Sequence, residues 1–349
     1  MDAISWDQII AQLADGEDLA AGQARWAMSE ILGDHAGKES IKSFLLGVQA
    51  KGETAEEVQA FVSVMFEHCA PIVIAERAVD PVGTGGDGAN TINISTTAAI
   101  IARAAGAKVV KHGARAASSK SGAADLLEAL GVNIDLNGEQ VAASFDQIGI
   151  GFCFAPKFHP AMRFAAPARK ELGQASVFNI LGPLANPAKP KAVAIGVSKA
   201  RVMPIMADVL LARGAEGFLF RGDDGIDEIT LSTTTQIMQI HNGEKKIETF
   251  DPRNLGIAFA PIETLVGGDA QFNADVTMRI FQGEKSPARE AVLLNAAVAL
   301  AAYKGEFEKS INEQLTQGYI AVSAAVDSGA ASETLASWAA FTQGLKSAT

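Results

Sequence analysis

The sequence has 349 residues, too many for one compact core, and predicts roughly two domains. With 48% hydrophobic and 20% charged residues, it has the composition of a soluble globular protein. The formal net charge of −11 argues against a nucleic-acid binder, whose affinity rests on cationic contacts to phosphate, but leaves room for a small anionic ligand held by a few backbone N–H groups.

The N-terminal stretch, with Asp2 and Asp7, has no apolar leader character, and no uncharged apolar run approaches the ~18 residues of a membrane span. The two cysteines, Cys69 and Cys153, fit neither a metal-ligand spacing nor a disulfide framework. The expectation is a cytoplasmic protein without membrane or nucleic-acid partners.

Residues 1–72 predict a small all-helical unit. Ile4, Ile9, Ile10 and Leu13 recur at helical spacing, followed by Trp26, Met28, Ile31 and Leu32. Ile41, Phe44, Leu45 and Val48 mark a third helix ending at Gly52. A fourth opens on Thr54 with Glu57 as a capping box and carries Val58, Phe61, Val62, Met65 and Phe66. The unit has no acid, base or metal cluster of its own, so packing against the rest of the chain or a second copy is its expected task.

From residue 73 to 349 the pattern changes to alternating strands and helices. Ala78–Val82, Ala107–Val110, Ile148–Phe154, Ala192–Val197 and Gly217–Phe220 read as strands. Helices are predicted over Thr96–Gly106, Ser121–Leu130 and Val202–Arg213. Ile237–His241 and Lys246–Phe250 read as a hairpin around Asn242–Gly243, and the chain is helical from Asn273 onward. The segment between Pro156 and Pro190 reads as irregular. The fold class is therefore α/β: a small N-terminal all-α domain and a larger domain with a mostly parallel central sheet.

Four segments carry chemistry. In the run Gly83-Thr84-Gly85-Gly86-Asp87-Gly88, glycines follow a strand and let the backbone approach a ligand; successive N–H groups there can form an anion nest. A helix beginning near Ser95 or Thr96 adds its partial positive charge, with Asn93, Ser95 and Thr96 as hydrogen-bonding side chains. The spacing is neither a dinucleotide fingerprint nor a P-loop. Lys111-His112-Gly113-Ala114-Arg115 follows the next strand and brings two cations and a histidine to the same sheet edge, ahead of Ser118, Ser119, Lys120 and Ser121.

Asp223-Asp224-Gly225-Ile226-Asp227-Glu228 supplies hard oxygen ligands suited to Mg²⁺. In His159–Arg169 and Phe178–Pro187, Arg163 and Arg169 can clamp a carboxylate. Each segment alone also admits a plainer reading: a glycine turn with an ordinary cap, a surface or core histidine, a solvated acidic turn, or surface arginines with snorkelling stems.

Together the motifs GTGGDG with NIST, KHG with R-x-x-SSKSG, HPAMR, FNILGPL-x-NP and DGIDE, in this order and spacing, resemble the anthranilate phosphoribosyltransferase family along nearly the whole chain. The resemblance implies a nucleoside phosphorylase/phosphoribosyltransferase-like fold, with an active site between the two domains and homodimers formed through residues 1–72. The 157–190 segment would pack on the helical domain. It implies Mg²⁺-dependent transfer of phosphoribose from phosphoribosyl pyrophosphate to anthranilate, in tryptophan biosynthesis.

On this likeness Gly83, Gly86, Asp87, Thr91, Asn93, Ser95, Thr96, Lys111, His112, Gly113, Ala114, Arg115, Ser118, Ser119 and Ala123 bind substrate. Ser95, Asp227 and Glu228 hold Mg²⁺, as two ions, and Gly83 and Arg169 meet the acceptor. Lys111, His112 and Arg169 are the candidate catalytic residues. The chain departs from the family pattern at Ala114, where an Asn touching the acceptor is usual. It departs also at Phe164 (commonly His), Ala175-Ser176 (commonly Arg-Thr) and Ala123 (frequently Ser). These departures lie mostly on the acceptor side and raise the alternative of a different aromatic acceptor. A pyrimidine nucleoside phosphorylase and a non-catalytic nucleic-acid-binding relative are further alternatives. The acids of DGIDE and the net charge weigh against them.

Overall fold

The computed structural model describes residues 4–116 and 119–346. Four helices come first: α1 (Trp6–Ala14), α2 (Ala21–Leu32), α3 (Lys38–Lys51) and α4 (Ala55–Glu67). Ser5 and Thr54 cap α1 and α4 with full capping boxes, satisfying N–H groups that the first helical turn leaves unpaired. The apolar stripes read from the sequence meet in one core, where Ile9, Met28, Ile31, Phe44, Leu45 and Phe61 are fully buried.

The second part alternates as expected. It contains β1 (Val79–Gly83), α5 (Ile94–Ala104), β2 (Val109–Gly113), α6 (Ala123–Ala129), α7 (Gly138–Ile148) and β3 (Ile150–Phe154). Next come three short helices, α8 (Ala155–Phe158), α9 (Ala166–Leu172) and α10 (Phe178–Leu184), then β4 (Ala192–Gly196), α11 (Met203–Ala212) and β5 (Glu216–Gly222). The hairpin β6 (Thr235–His241) and β7 (Glu244–Phe250) follows. Four helices close the chain: α12 (Ala270–Phe281), α13 (Pro287–Lys304), α14 (Ile311–Asp327) and α15 (Ala330–Lys346).

One seven-stranded sheet has the order β3-β2-β1-β4-β5-β6-β7. β1 to β5 run parallel, and β6 and β7 are antiparallel at one edge. The sheet is thus mostly parallel, as expected. Asn242 and Gly243 both take positive φ, 50° and 83°, the conformation a two-residue hairpin turn demands.

Two expectations are corrected. The stretch between Pro156 and Pro190 is largely helical, because Pro156, Pro160 and Pro167 stand in first turns, where a missing N–H costs nothing. α7 had no counterpart in the sequence reading, although Asn137 with Gln140 forms a capping box and Gly149 a left-handed stop.

The two faces of the sheet bury different partners. α5, α13, α14 and α15 cover one face; α13 is buried almost all round from Ala291 to Ala302. The other face, through Val193, Ile195, Leu219 and Met238, shares a core with α1–α4 and with Ala165, Ala168, Phe178 and Leu181. The segment between β3 and β4 therefore lies between the helical unit and the sheet. Among the described residues no helix is long and apolar enough to cross a membrane.

Candidate active site

The strand order reverses direction at one place. β1 connects outward to β2 and β3, while its other neighbour β4 connects outward to β5. A crevice therefore opens at the carboxyl ends of β1 and β4, the topological switch point where open parallel sheets bind ligands. The glycine run leaves β1 at this point. Gly85, Gly86 and Gly88 have φ of 66°, 78° and 79°, a region that side chains disfavour. Thr84 and Ser198 tie the loop to the end of β4: Ser198 N donates to Thr84 Oγ1 at 3.0 Å, and Ser198 Oγ donates to Gly85 O at 2.8 Å.

Gly83 and Gly196 stand opposite each other in adjacent strands. A Cβ on Gly83 would lie 2.4 Å from Asp227 Oδ2, and one on Gly196 would lie 1.7 Å from Asp227 O. The paired glycines make a slot in which Asp227 and Glu228 reach the crevice. Gly85 N donates to Asp227 Oδ2 at 2.6 Å.

A cleft of about 1170 Å³ gathers nearly all the predicted donor residues: Gly83, Gly86, Asp87, Thr91, Asn93, Ser95, Thr96, Lys111, His112, Gly113, Ala114, Arg115, Ser119 and Ala123. Asp227 and Glu228 line the same cleft. Ser118 lies outside the described residues. α5 begins at Ile94, one or two residues earlier than expected, with Asn93 at its cap position. Asn93 Nδ2 donates to Ser121 O at 3.0 Å, joining the start of α5 to the loop that precedes α6. Arg115 lines the cleft but pairs with Asp125 at 2.9 Å and with Glu128, which raise its guanidinium pKa.

Burial governs the charged groups. Asp227 is pushed up to about 7 and Glu228 well above its usual range, first by desolvation and then by neighbouring carboxylates. Lys111, on β2, is buried beneath the cleft. It donates to Pro81 O and, at 3.3 Å, to Ser95 Oγ. Desolvation lowers its pKa, and Asp80 and Glu228 oppose that shift.

Asp80 was not singled out from the sequence, although an acid inside an apolar strand is a visible signal. It is pushed up to about 6 by burial, and it accepts from His112 N at 3.2 Å and from Asn186 Nδ2 at 2.8 Å.

His112 points its Nδ1 at Gly182 O, 3.1 Å away. A carbonyl only accepts, so Nδ1 carries the proton. Nε2 is buried without a partner among the described residues. Desolvation, with His159 adding to it, pushes His112 down to about 3. The folded state thus refuses a proton that the unfolded chain accepts below pH ~6.5. Stability from this residue is full above that pH and falls as pH drops toward 3. His112→Asn keeps a donor toward Gly182 O without a titrating ring. Urea unfolding at pH 7.5 and 5 should show a wild-type loss that this variant reduces by about 2 kcal/mol. Equal losses in both proteins would refute a neutral buried imidazole.

Arg169 lies on α9 in an adjoining cleft of about 1300 Å³ that shares Gly86, Gly88 and Asn179 with the first. Its guanidinium stands over the Phe178 ring at 5.1 Å and has no acidic partner among the described residues. Arg163 instead covers Phe164 and is exposed, away from both clefts.

The class follows from comparison of this architecture with known proteins. A family model described as glycosyl transferase family, a/b domain, matches residues 75–332. A second, glycosyl transferase family, helical bundle domain, matches residues 7–69. The chain is therefore a glycosyl transferase built from these two domains. Curated relatives carry a narrower name. The anthranilate phosphoribosyltransferase of Rhodococcus jostii (strain RHA1) is 47% identical over 343 residues, 98% of this chain and 95% of the relative. That of Arthrobacter sp. (strain FB24) is 46% identical over 340 residues, 97% of each.

Solved structures agree. The enzyme of Thermus thermophilus superposes with a TM-score of 0.88 at 36% identity, covering 96% of this chain and 99% of that one. The Saccharomyces cerevisiae enzyme in complex with PRPP and Mg gives 0.88 at 26% identity, covering 97% and 98%. This chain belongs to the anthranilate phosphoribosyltransferase family.

Proposed function

We propose that this protein transfers phosphoribose from phosphoribosyl pyrophosphate to the amine of anthranilate, releasing pyrophosphate, as a step of tryptophan biosynthesis. The observation that carries the reading is the pair of adjoining clefts. One is lined by a glycine loop, a helix start and Lys111, and the other by Arg169, which has no acidic partner among the described residues. The family assignment favours this reading over the phosphorylase and the nucleic-acid binder.

The residues divide the work by chemistry. Backbone N–H groups of the Gly83–Gly88 loop and the α5 start face the donor's phosphates, and Lys111 supplies buried positive charge. Ser95, Asp227 and Glu228 would hold Mg²⁺. Their hard oxygens line one cleft, where burial first and the neighbouring carboxylates second favour the protonated acids, a preference that a bound cation would reverse.

Among the described residues no three His, Cys, Asp or Glu side chains group closely enough to hold an ion alone. That fits Mg²⁺, which takes one or two carboxylates and completes its shell with substrate phosphates. Two ions are the reading, with Ser95, Asp227 and Glu228 as the residues that would hold them. When bound, Mg²⁺ supplies charge neutralisation on the departing pyrophosphate.

The bond from the anomeric carbon to the pyrophosphate oxygen breaks with the electron pair leaving on oxygen. The anthranilate amine forms the new C–N bond and then loses its proton to solvent. An aniline amine is already a serviceable nucleophile, so no strong base is needed, and the neutral His112 is placed to position rather than to abstract. Rate enhancement comes from positioning and charge stabilisation.

Residues 1–72 form the dimerisation unit in this reading; Leu46 on α3 is exposed there. Both cysteines are free, in keeping with a cytoplasmic location. The test is to mix protein, donor, Mg²⁺ and anthranilate and follow loss of anthranilate fluorescence. Turnover is the expected result. Tight donor binding without turnover would reject anthranilate as the acceptor.

A further inference from the structure

We propose that Asn179 is a specificity-determining residue whose carboxamide nitrogen donates a hydrogen bond to the acceptor's carboxylate beside Arg169. The inference rests on the functional reading above and extends it.

Asn179 occupies the first turn of α10. Ser176 N donates to its Oδ1 at 3.1 Å. A backbone N–H only donates, so the atom facing it is oxygen, and Nδ2 is turned the other way. That nitrogen lies 3.9 Å from the position a Cβ on Gly86 would take, at the glycine loop. It has no hydrogen-bond acceptor among the described residues.

Three hollows meet at this point: the donor cleft, the Arg169 cleft and a smaller one of about 460 Å³ beside α3. Among the described residues only Gly86 and Asn179 line all three, and only Asn179 brings a side-chain donor. Ala114, in the donor cleft, offers only a methyl group.

Arg169 stacks on Phe178, the neighbour of Asn179, so both donors are keyed to the start of one helix. The far end of that helix is braced. Gly182 O accepts from His112, Leu184 O from Arg213 and Ala185 O from His159. A carboxylate has two oxygens. With one on Arg169 and the other on Asn179, an amine ortho to it is directed past Gly86 into the donor cleft.

The test measures KM for anthranilate and for aniline, which lacks the carboxylate, and the affinity for phosphoribosyl pyrophosphate with Mg²⁺ by calorimetry. N179A should raise KM for anthranilate by about tenfold or more, the effect of losing one bond to a charged group. Its KM for aniline and its donor affinity should stay within about twofold.

N179D keeps the acceptor for Ser176 N and turns a negative charge toward the carboxylate. It should raise KM for anthranilate further than N179A, while melting within a few degrees of wild type. Donor affinity falling in step with KM, or N179D binding anthranilate as well as N179A, overturns the proposal. If wild type does not turn over anthranilate, the functional reading fails. Equilibrium binding of anthranilate to wild type and N179A then still decides the role of Asn179.

Discussion

Gly196→Ala should lower kcat/KM on the order of a hundredfold or more and remove about 2 kcal/mol of stability. The residue ends β4 beside Gly83, and an added Cβ would fall 1.7 Å from Asp227 O and 2.5 Å from its carbonyl carbon. The obstacle is backbone, not a flexible side-chain tip, so the Asp227–Glu228 segment must move by more than an ångström. That displacement carries both proposed Mg²⁺-holding carboxylates away from the cleft and breaks the Gly85–Asp227 hydrogen bond.

Gly22→Ala is the control. Gly22 lies near the start of α2, where an added Cβ meets nothing within 4 Å. It should leave activity intact and stability equal or slightly higher. Steady-state kinetics and urea melts on both variants suffice. A fully active Gly196→Ala would show that the acidic segment is not held by the slot.

Lys111→Met has a comparably large expected effect and a pH signature. The buried ammonium is the charge that most offsets the burial of Asp80, and it also interacts with Glu228. The two are not in ion-pair contact, so removing Lys111 should cost less than the ~3–5 kcal/mol of a broken buried pair, but it leaves the Asp80 charge without its main compensation. The sign follows from Asp80. Its folded pKa, about 6, already exceeds that of the unfolded chain. Without Lys111 it rises further. The folded state then holds the proton more tightly than the unfolded state, and stability is lost as pH climbs through the folded value.

The variant should therefore be crippled at pH 8 and much less so at pH 5. Adding Asp80→Asn should restore part of the stability at pH 8 but none of the donor binding. Recovery is partial because one carboxamide oxygen replaces two carboxylate oxygens that accept from His112 N and Asn186 Nδ2. Asn186 cannot turn over to compensate, since its Nδ2 also donates to Val110 O and its Oδ1 accepts from Ala188 N. A Lys111→Met protein equally stable at both pH values would refute the electrostatic coupling of Lys111 to Asp80.

The sequence made the donor side legible because its signals are local. A glycine run after a strand, a polar helix start and an acid pair after a later strand each declare themselves within about ten residues. Topology then brings them to one edge, as parallel alternation requires. The acceptor side was less legible. Prolines 156, 160 and 167 read as breaks but start helices, so α9 and α10, which carry Arg169 and Asn179, were not foreseen as elements.

The buried polar layer of Asp80, His159, Arg213 and Asn186 was invisible for another reason. Its members are far apart in sequence and each looks ordinary until folding brings them together. His112 was read as a candidate catalytic group from its place after a strand. The folded environment, which holds Nδ1 on Gly182 O, is a tertiary fact that no local pattern encodes.

The reversal of strand order between β1 and β4 has a thermodynamic consequence. The glycine loop and Lys111 belong to the half of the sheet that grows toward β3, while Asp227 and Glu228 belong to the half that grows toward β5. Neither half owns a complete site. On the proposed reading, a donor bound with its metal would touch both, and so would act as a reversible cross-link between two halves of one sheet. Its binding energy would then add to the cohesion of the fold, leaving the protein most tightly knit when loaded.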